Sequence, residues 1–231
     1  KKPIMPLFGI DHASELVKYL QGYGYNEKIP LSPNVSVELI PTGHLLGDAS
    51  LIFEYQKDEY HTRRIFYTGD TNAWTKTPRP FTKQFDTSKV YECDTVICES
   101  TYGCRKHSGQ NAKKVLEQVV ESHVIKGRGV LLIPTFAIGR SAQVAHLLKE
   151  IWKEHPEWEK INIPVYLAGM MMGKSFTVYS NEYFQRHFMD EEWQNADVFK
   201  WGRIQRIDKF NEVEEKLIDN KPKIILASSG M

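Results

Sequence analysis

An α/β protein in two parts, the first of mixed α+β character and the second built on a parallel sheet, is predicted by three features of this sequence. Short runs rich in β-branched and aromatic residues dominate the first part. Helix-period and strand-period segments alternate in the second, and the change of period coincides with a Gly- and polar-rich stretch at 103–110.

The first part opens on one helix, expected over 11–21, with Asp11 as its cap and Leu16, Val17 and Leu20 as an apolar stripe that stops near Gly22. The runs VSVELI, ASLIFEY, RRIFYTG and DTVICE follow, separated by Gly, Asp, Pro and Thr, which is the pattern of a meandering sheet. In the second part Ala112, Val115, Leu116, Val119 and Val120 recur at helical spacing, and Gly127 and Gly129 end that helix before the strand VLLIP. Residues 141–153 place Val144, Leu147, Leu148, Ile151 and Trp152 on one helical side, and IPVYL and KIILA read as further strands. Such alternation implies a parallel sheet flanked by helices. Residues 190–210 show no clear period.

Composition narrows the classes. The 231 residues suggest one or two domains, and Lys+Arg 30 against Asp+Glu 29 leaves no strong overall field, so any nucleic-acid binding must rest on local patches. With 41% hydrophobic residues the chain has material for a buried core, which excludes the disordered class. No apolar run has membrane-spanning length and no secretory signal pattern is present, so no membrane is expected and a cytoplasmic location is the default. Cys93, Cys98 and Cys104 fit neither a disulfide framework nor a common zinc spacing and read as structural thiols. Because it starts at Lys1 and stops at Met231 after a Ser-Ser-Gly turn, the chain is expected to be a segment of a longer protein.

Chemistry is expected at strand ends. His44 lies in the turn TGHLLG, where glycines let the backbone bend and leave an imidazole projecting from the sheet. Asp70 follows IFY and a glycine in YTGD, and Glu99 ends the strand TVICE. Taken singly, His44 can bond its own turn and Asp70 can cap one. Taken together, three ionisable groups at the carboxyl ends of strands in one sheet converge on one edge, where metals or acid–base pairs are assembled. An imidazole and a carboxylate suit zinc, yet a catalytic zinc takes three protein ligands and no HxH, HxxxH or HxxEH pair occurs.

The ordered blocks TGHLLGDAS, YTGD, ESTYG, IPTFAIGRSAQ and ILASSGM resemble the β-CASP branch of the metallo-β-lactamase fold, which includes the endonuclease that cuts pre-mRNA at its 3′ end and related prokaryotic ribonucleases. The resemblance covers nearly the whole chain. It implies a partial αββα metallo-β-lactamase sandwich over 1–104 and a partial β-CASP α/β cap with a parallel sheet over 105–231. It further implies a zinc-dependent hydrolase that cleaves RNA phosphodiester bonds with a metal-activated hydroxide, and two zinc ions in the complete protein. By the same resemblance His44 is a zinc ligand, Asp70 bridges the two ions, and Glu99 orients a histidine that assists the leaving group. A single RNA strand would enter the cleft under the cap. Arg140 and the helix amino end after IPTFAIG would face its phosphates, as would Ser228, Ser229 and the Gly230 amide, although helix capping by either serine is an equal reading.

The sequence departs from the family pattern as well. The HxHxDH motif and two later histidine motifs do not occur in these 231 residues, so the segment alone is expected to be inactive. Ala168 in VYLAGMMMG stands where the family often has an aspartate, GDTNAWTKTPRP replaces the usual residues after Asp70, and Asp48 occupies a serine position as either an acceptor or a turn residue. His107 either structures its loop or lines the cleft, the other histidines are surface or packing residues, and Met170, Met171 and Met172 pack in core or cleft. The alternative function is a non-catalytic β-CASP relative acting as an RNA-binding or scaffold subunit. A small-substrate hydrolase on the same fold is a third reading.

Overall fold

The protein is described by a computed structural model covering residues 6–72, 79–106 and 109–228. Two sheets form its frame. The first has five strands in sequence order: β1 (Lys28–Ser32), β2 (Val35–Pro41), β3 (Ala49–Gln56), β4 (Thr62–Tyr67) and β5 (Thr95–Ile97). The first four pair antiparallel and β5 joins β4 in parallel, so the carboxyl ends of β2, β4 and β5 share one edge. Period-2 alternation sends Ile40, Ile52 and Phe66 to a buried face, where Phe85, Val90 and Cys93 cover them. The other face leaves Ile65, Tyr67 and Ile97 exposed. This sheet is one layer of the expected αββα sandwich.

The second sheet is parallel throughout, in the order β6 (Val130–Pro134), β9 (Lys223–Ala227), β7 (Val165–Ala168) and β8 (Ile204–Ile207). Its central strands read as continuous apolar runs because both faces are covered: all four residues of β7 are buried, as are Ile224, Ile225 and Leu226 of β9. The helices α2 (Ala112–Val119), α3 (Arg140–Glu154), α4 (Met170–Tyr179), α5 (Glu182–Phe188) and α6 (Phe210–Ile218) complete this half. Asn111 caps α2 by accepting the Lys114 N–H, and a π-helical stretch, Val120–Lys126, carries the chain on to Gly127. Lys223 enters its strand fully buried, and its ammonium donates to the carbonyl oxygens of Lys216 and Asp219, closing the last turn of α6.

The first helix differs from expectation. It is α1 (Ile10–Leu16), capped by Gly9, whose N–H donates to Nδ1 of His12 at 3.0 Å, and Asp11 lies inside it. Leu16, Val17 and Leu20 are exposed, because no other element packs on that stripe among the described residues. Of the methionine run, Met172 is core while Met170 and Met171 are exposed.

One residue of the first half belongs to the core of the second. Phe81 is fully buried, with its ring centroid 5.4 Å from Trp193, 5.1 Å from Phe199 and 5.5 Å from His146. Its φ of +64° is a left-handed conformation that costs a side-chain residue about 1–2 kcal/mol, so aromatic packing outweighs backbone strain here. Flanking it, Asp190 N–H donates to the Thr82 carbonyl at 3.0 Å, and the Gln84 N–H donates to the Asp190 carboxylate at 3.1 Å. Replacing Phe81 with alanine is expected to lower unfolding free energy by about 3–5 kcal/mol in urea melts, the range for a buried aromatic truncated in a packed core.

His155 sets a second expectation. Its ring stacks on Trp158 at 4.0 Å, and its nitrogens meet Glu117 at 2.7 Å and Glu157 at 3.0 Å. The Glu117 carboxylate foremost, and then Glu157, raises the imidazolium pKa above its ordinary 6.5. A raised folded pKa stabilises fully below the unfolded value, and the contribution fades as pH climbs through the folded value. The stability lost in His155→Gln should therefore be larger at pH 6 than at pH 9; equal losses would show that the ring acts by packing alone.

Candidate active-site cleft

Three turns at the carboxyl edge of the first sheet are laced together by the backbone. After β2, the buried Thr42 accepts the His44 N–H on Oγ1 at 3.1 Å, and Gly43 and Gly47 take φ of +68° and +83° to reverse the chain toward β3. The Thr42 carbonyl accepts the Asn72 N–H at 3.0 Å and the Thr71 hydroxyl at 3.2 Å, tying the turn around His44 to the turn after Asp70. The third turn closes the set: Glu99 N–H donates to Thr68 Oγ1 at 3.0 Å, and the Glu99 carboxylate accepts the Thr71 N–H at 2.8 Å. His44, Asp70 and Glu99 thus occupy one edge, as their strand-end positions predict.

Arg79 was not among the residues singled out from sequence. It comes from the Pro-flanked TPRP segment, and its guanidinium donates to His44 Nδ1 at 2.7 Å and to the His44 carbonyl at 3.3 Å. The available signal was Pro80 directly after Arg79, because proline's fixed φ also restricts the residue before it. With Arg140 from the amino end of α3, Arg79 lines a cleft of 370 Å³ whose other walls include Thr71, Glu99, Thr101 and Tyr102.

The charges are set by burial and by one another. Partial burial first, and then Arg79, pushes the His44 pKa below its ordinary value, so the imidazole is neutral at pH 7. Burial raises Asp48, and Asp70 adds to that rise. The Thr71 N–H, followed by the Thr101 hydroxyl, holds Glu99 low and ionised. Burial and the neighbouring Arg140 lower Arg79. Two guanidinium groups facing one cavity repel, and an anion between them relieves that repulsion.

The donor types at this edge suit a zinc ion, and their number does not complete a site. His44 feels both Asp48 and Asp70, an imidazole among carboxylates. Among the described residues no group of three or more His, Cys, Asp or Glu side chains is placed to hold a metal. Moreover, a guanidinium only donates, so its bond to Nδ1 puts the ring proton on Nε2 and leaves neither nitrogen with a free lone pair. Metal binding at His44 requires that contact to open.

Of the other residues read from sequence, Arg140 is exposed at the start of α3, with NH1 donating to Gln143 Oε1 at 2.9 Å. Ser228 is half-buried just past β9, on the edge where the Thr135 N–H bonds the Ala227 carbonyl. Ser229 and Gly230, like His107, lie outside the described residues. Cys93, Cys98 and Cys104 are free thiols.

Gly139 explains how close Arg140 comes. Its φ is +74°, and a Cβ at this position would overlap Leu45 Cδ2 in the His44 turn. The Tyr179 hydroxyl, from α4, accepts the Leu46 N–H at 3.5 Å across the same seam.

A parallel α/β layer closed over the carboxyl edge of a second sheet, with Arg79, Arg140 and Glu99 lining the cleft between them and His44 bonded to Arg79 beside it, defines a capped α/β protein. Residues 142–231 match the Beta-Casp domain model, so this part of the chain is a β-CASP domain. The chain is 26% identical to Endoribonuclease YSH1 of Mycosarcoma maydis over 226 residues, 92% of this chain and 23% of that protein. It is 27% identical to the RNase J-like protein of Methanocaldococcus jannaschii over 228 residues, 96% of this chain and 48% of that protein. A third relative, Transcription termination factor FttA of Methanosarcina mazei, is 30% identical over 237 residues, 94% of this chain and 33% of that protein. The chain therefore spans less than half the length of each of these curated relatives.

The seam can be tested directly. Gly139→Ala is expected to lower stability by more than about 1 kcal/mol, the scale set by the left-handed backbone alone, with steric overlap added. Leu45→Ala in the same chain should recover the steric share and leave the backbone share. Denaturant melts of the two single variants and the double variant measure the coupling; simple additivity would contradict the contact.

Proposed function

We propose that the protein containing this chain is a zinc-dependent hydrolase that cleaves phosphodiester bonds in single-stranded RNA. The observation that carries the reading is the placement of His44, Asp70 and Glu99 on one sheet edge, beside Arg79, which bonds His44 and shares a cleft with Glu99 and Arg140. Relatives named as an endoribonuclease and as RNase J-like support RNA as the substrate class. His44 and Asp70 would contribute two of the metal ligands. When bound, the metal supplies Lewis acidity, lowering the pKa of the attacking water and offsetting charge on the phosphoryl oxygens.

The chain's own residues position the substrate. Arg79 and Arg140 hold the phosphate by charge-assisted hydrogen bonds. Arrival of the anion also gives the Arg79 guanidinium a stronger partner than a neutral imidazole, which frees Nδ1 of His44. Glu99, ionised and bonded to Thr71, keeps the turn that follows Asp70 in register with the His44 turn.

A second reading, a non-catalytic RNA-binding or scaffold subunit, draws on the Arg79–His44 contact, which occupies a ring nitrogen that a ligand would need free. Zinc content and RNA cleavage by the full-length protein separate the two. His44→Ala and Asp70→Asn should each reduce bound zinc and cut cleavage by a factor of a hundred or more, on the order of losing a metal-activated nucleophile. Undiminished zinc and cleavage in both variants would sink the metal assignment, and a full-length protein that binds RNA without cutting it would favour the scaffold.

A further inference from the structure

A second cavity, of 580 Å³, opens at the opposite end of the parallel sheet, where β6, β7 and β9 begin. In open α/β sheets ligands ordinarily sit at the carboxyl ends of strands, so this amino-edge cavity is no extension of the cleft. Arg128, Lys160 and Lys221 stand around it with Asn162, Gln205 and the buried Tyr166.

Its charge is unbalanced in a specific way. The one carboxylate in the lining, Asp219, is taken up locally: it accepts the Lys221 N–H at 3.1 Å and faces the buried Lys223 ammonium at 3.7 Å. Neighbouring acids are committed elsewhere, Glu159 to Arg203 at 2.8 Å and Glu121 to Lys126 at 2.8 Å. That leaves Arg128, Lys160 and Lys221 with no ion pair or side-chain hydrogen bond among the described residues. Asp219, the one carboxylate in the lining, is shared with Lys223 and Lys216 as well as Lys221, so the positive charge gathered on this concave surface exceeds the negative and favours an anion.

Arg128 adds a second, independent sign. It sits between Gly127 and Gly129 and itself takes φ of +54°, a conformation either glycine would adopt at no cost. The loop thus holds a cationic side chain, under strain, at the mouth of the cavity.

Size and polar groups narrow the ligand. A phosphate ion fills a small part of 580 Å³, which is within the range of sites for whole small molecules. Tyr166 and Gln205 are register partners on adjacent strands, and Gln205 and Asn162 in the lining each carry an amide with both donor and acceptor. We propose that this cavity binds a nucleoside monophosphate, with its phosphate on Arg128, Lys160 and Lys221 and its base or ribose against Asn162 and Gln205. The proposal is independent of the reading of the cleft.

The test is calorimetric titration of the full-length protein with AMP, with inorganic phosphate as the comparison. AMP should bind, and inorganic phosphate at least about tenfold more weakly, because it forgoes the amide contacts. Arg128→Gly removes the guanidinium while relieving the left-handed backbone, so it should fold at least as stably as the parent and bind AMP about tenfold more weakly. Lys160→Glu with Lys221→Glu should abolish binding, and Arg140→Ala, in the distant cleft, should leave it unchanged. No heat with millimolar AMP, equal affinity for phosphate, or AMP binding that is lost in Arg140→Ala and kept in Arg128→Gly would each overturn the proposal.

Discussion

The contact between Leu45 and Gly139 is the constraint on which the rest of the cleft depends. It leaves no room for a single Cβ between the turn that carries His44 and the start of the helix that carries Arg140. Because the two halves meet backbone to side chain at that point, the arginine of one and the imidazole of the other share an electrostatic environment. A wider seam would leave the same residues in place with nothing to act on together. The character of this edge therefore resides in how the two sheets are held together, as much as in the residues on either one.

Holding them requires fixed turns, and the turns are fixed by threonines more than by charges. Thr42 through its carbonyl, Thr68 through its hydroxyl and Thr71 through both its N–H and hydroxyl bond a neighbouring turn, so three strand ends are tied into one network. Buried hydrogen bonds of this type contribute modestly each, but leaving any of them unmade costs more than making it gains. Charge then rides on this scaffold: Glu99 stays ionised because an amide is already aimed at it, and His44 stays neutral because its surroundings are part dry and already positive.

Much of this was legible in the sequence, for identifiable reasons. Strands β2 to β5 announce themselves by alternation, and β6, β7 and β9 by continuous apolar runs, because burial on one or two faces dictates each pattern. His44, Asp70 and Glu99 were legible because glycines and strand ends mark where side chains leave a sheet. What was hidden lies at edges and in loops. β1 carries Pro30 and β8 carries Gln205 and Arg206, which suits edge strands with one solvated side and erases their period. Arg79 belongs to a loop with no period, and its role depends on a contact across the fold. The stripe on α1 misled because amphipathic spacing reports a capacity to pack and not the presence of a partner.

Phe81 carries a consequence for how such a protein can be divided. By strand pattern and by topology the cap begins well after residue 100, yet one of its central aromatic rings is contributed by a loop that precedes β5. A cap excised at the apparent boundary would carry a void the size of that ring, ringed by Trp193, Phe199 and Tyr179. During synthesis the ring is made first and waits for the pocket that will receive it. The halves are thus separable as patterns and inseparable as folding units, so any exchange of caps between relatives has to carry this loop along.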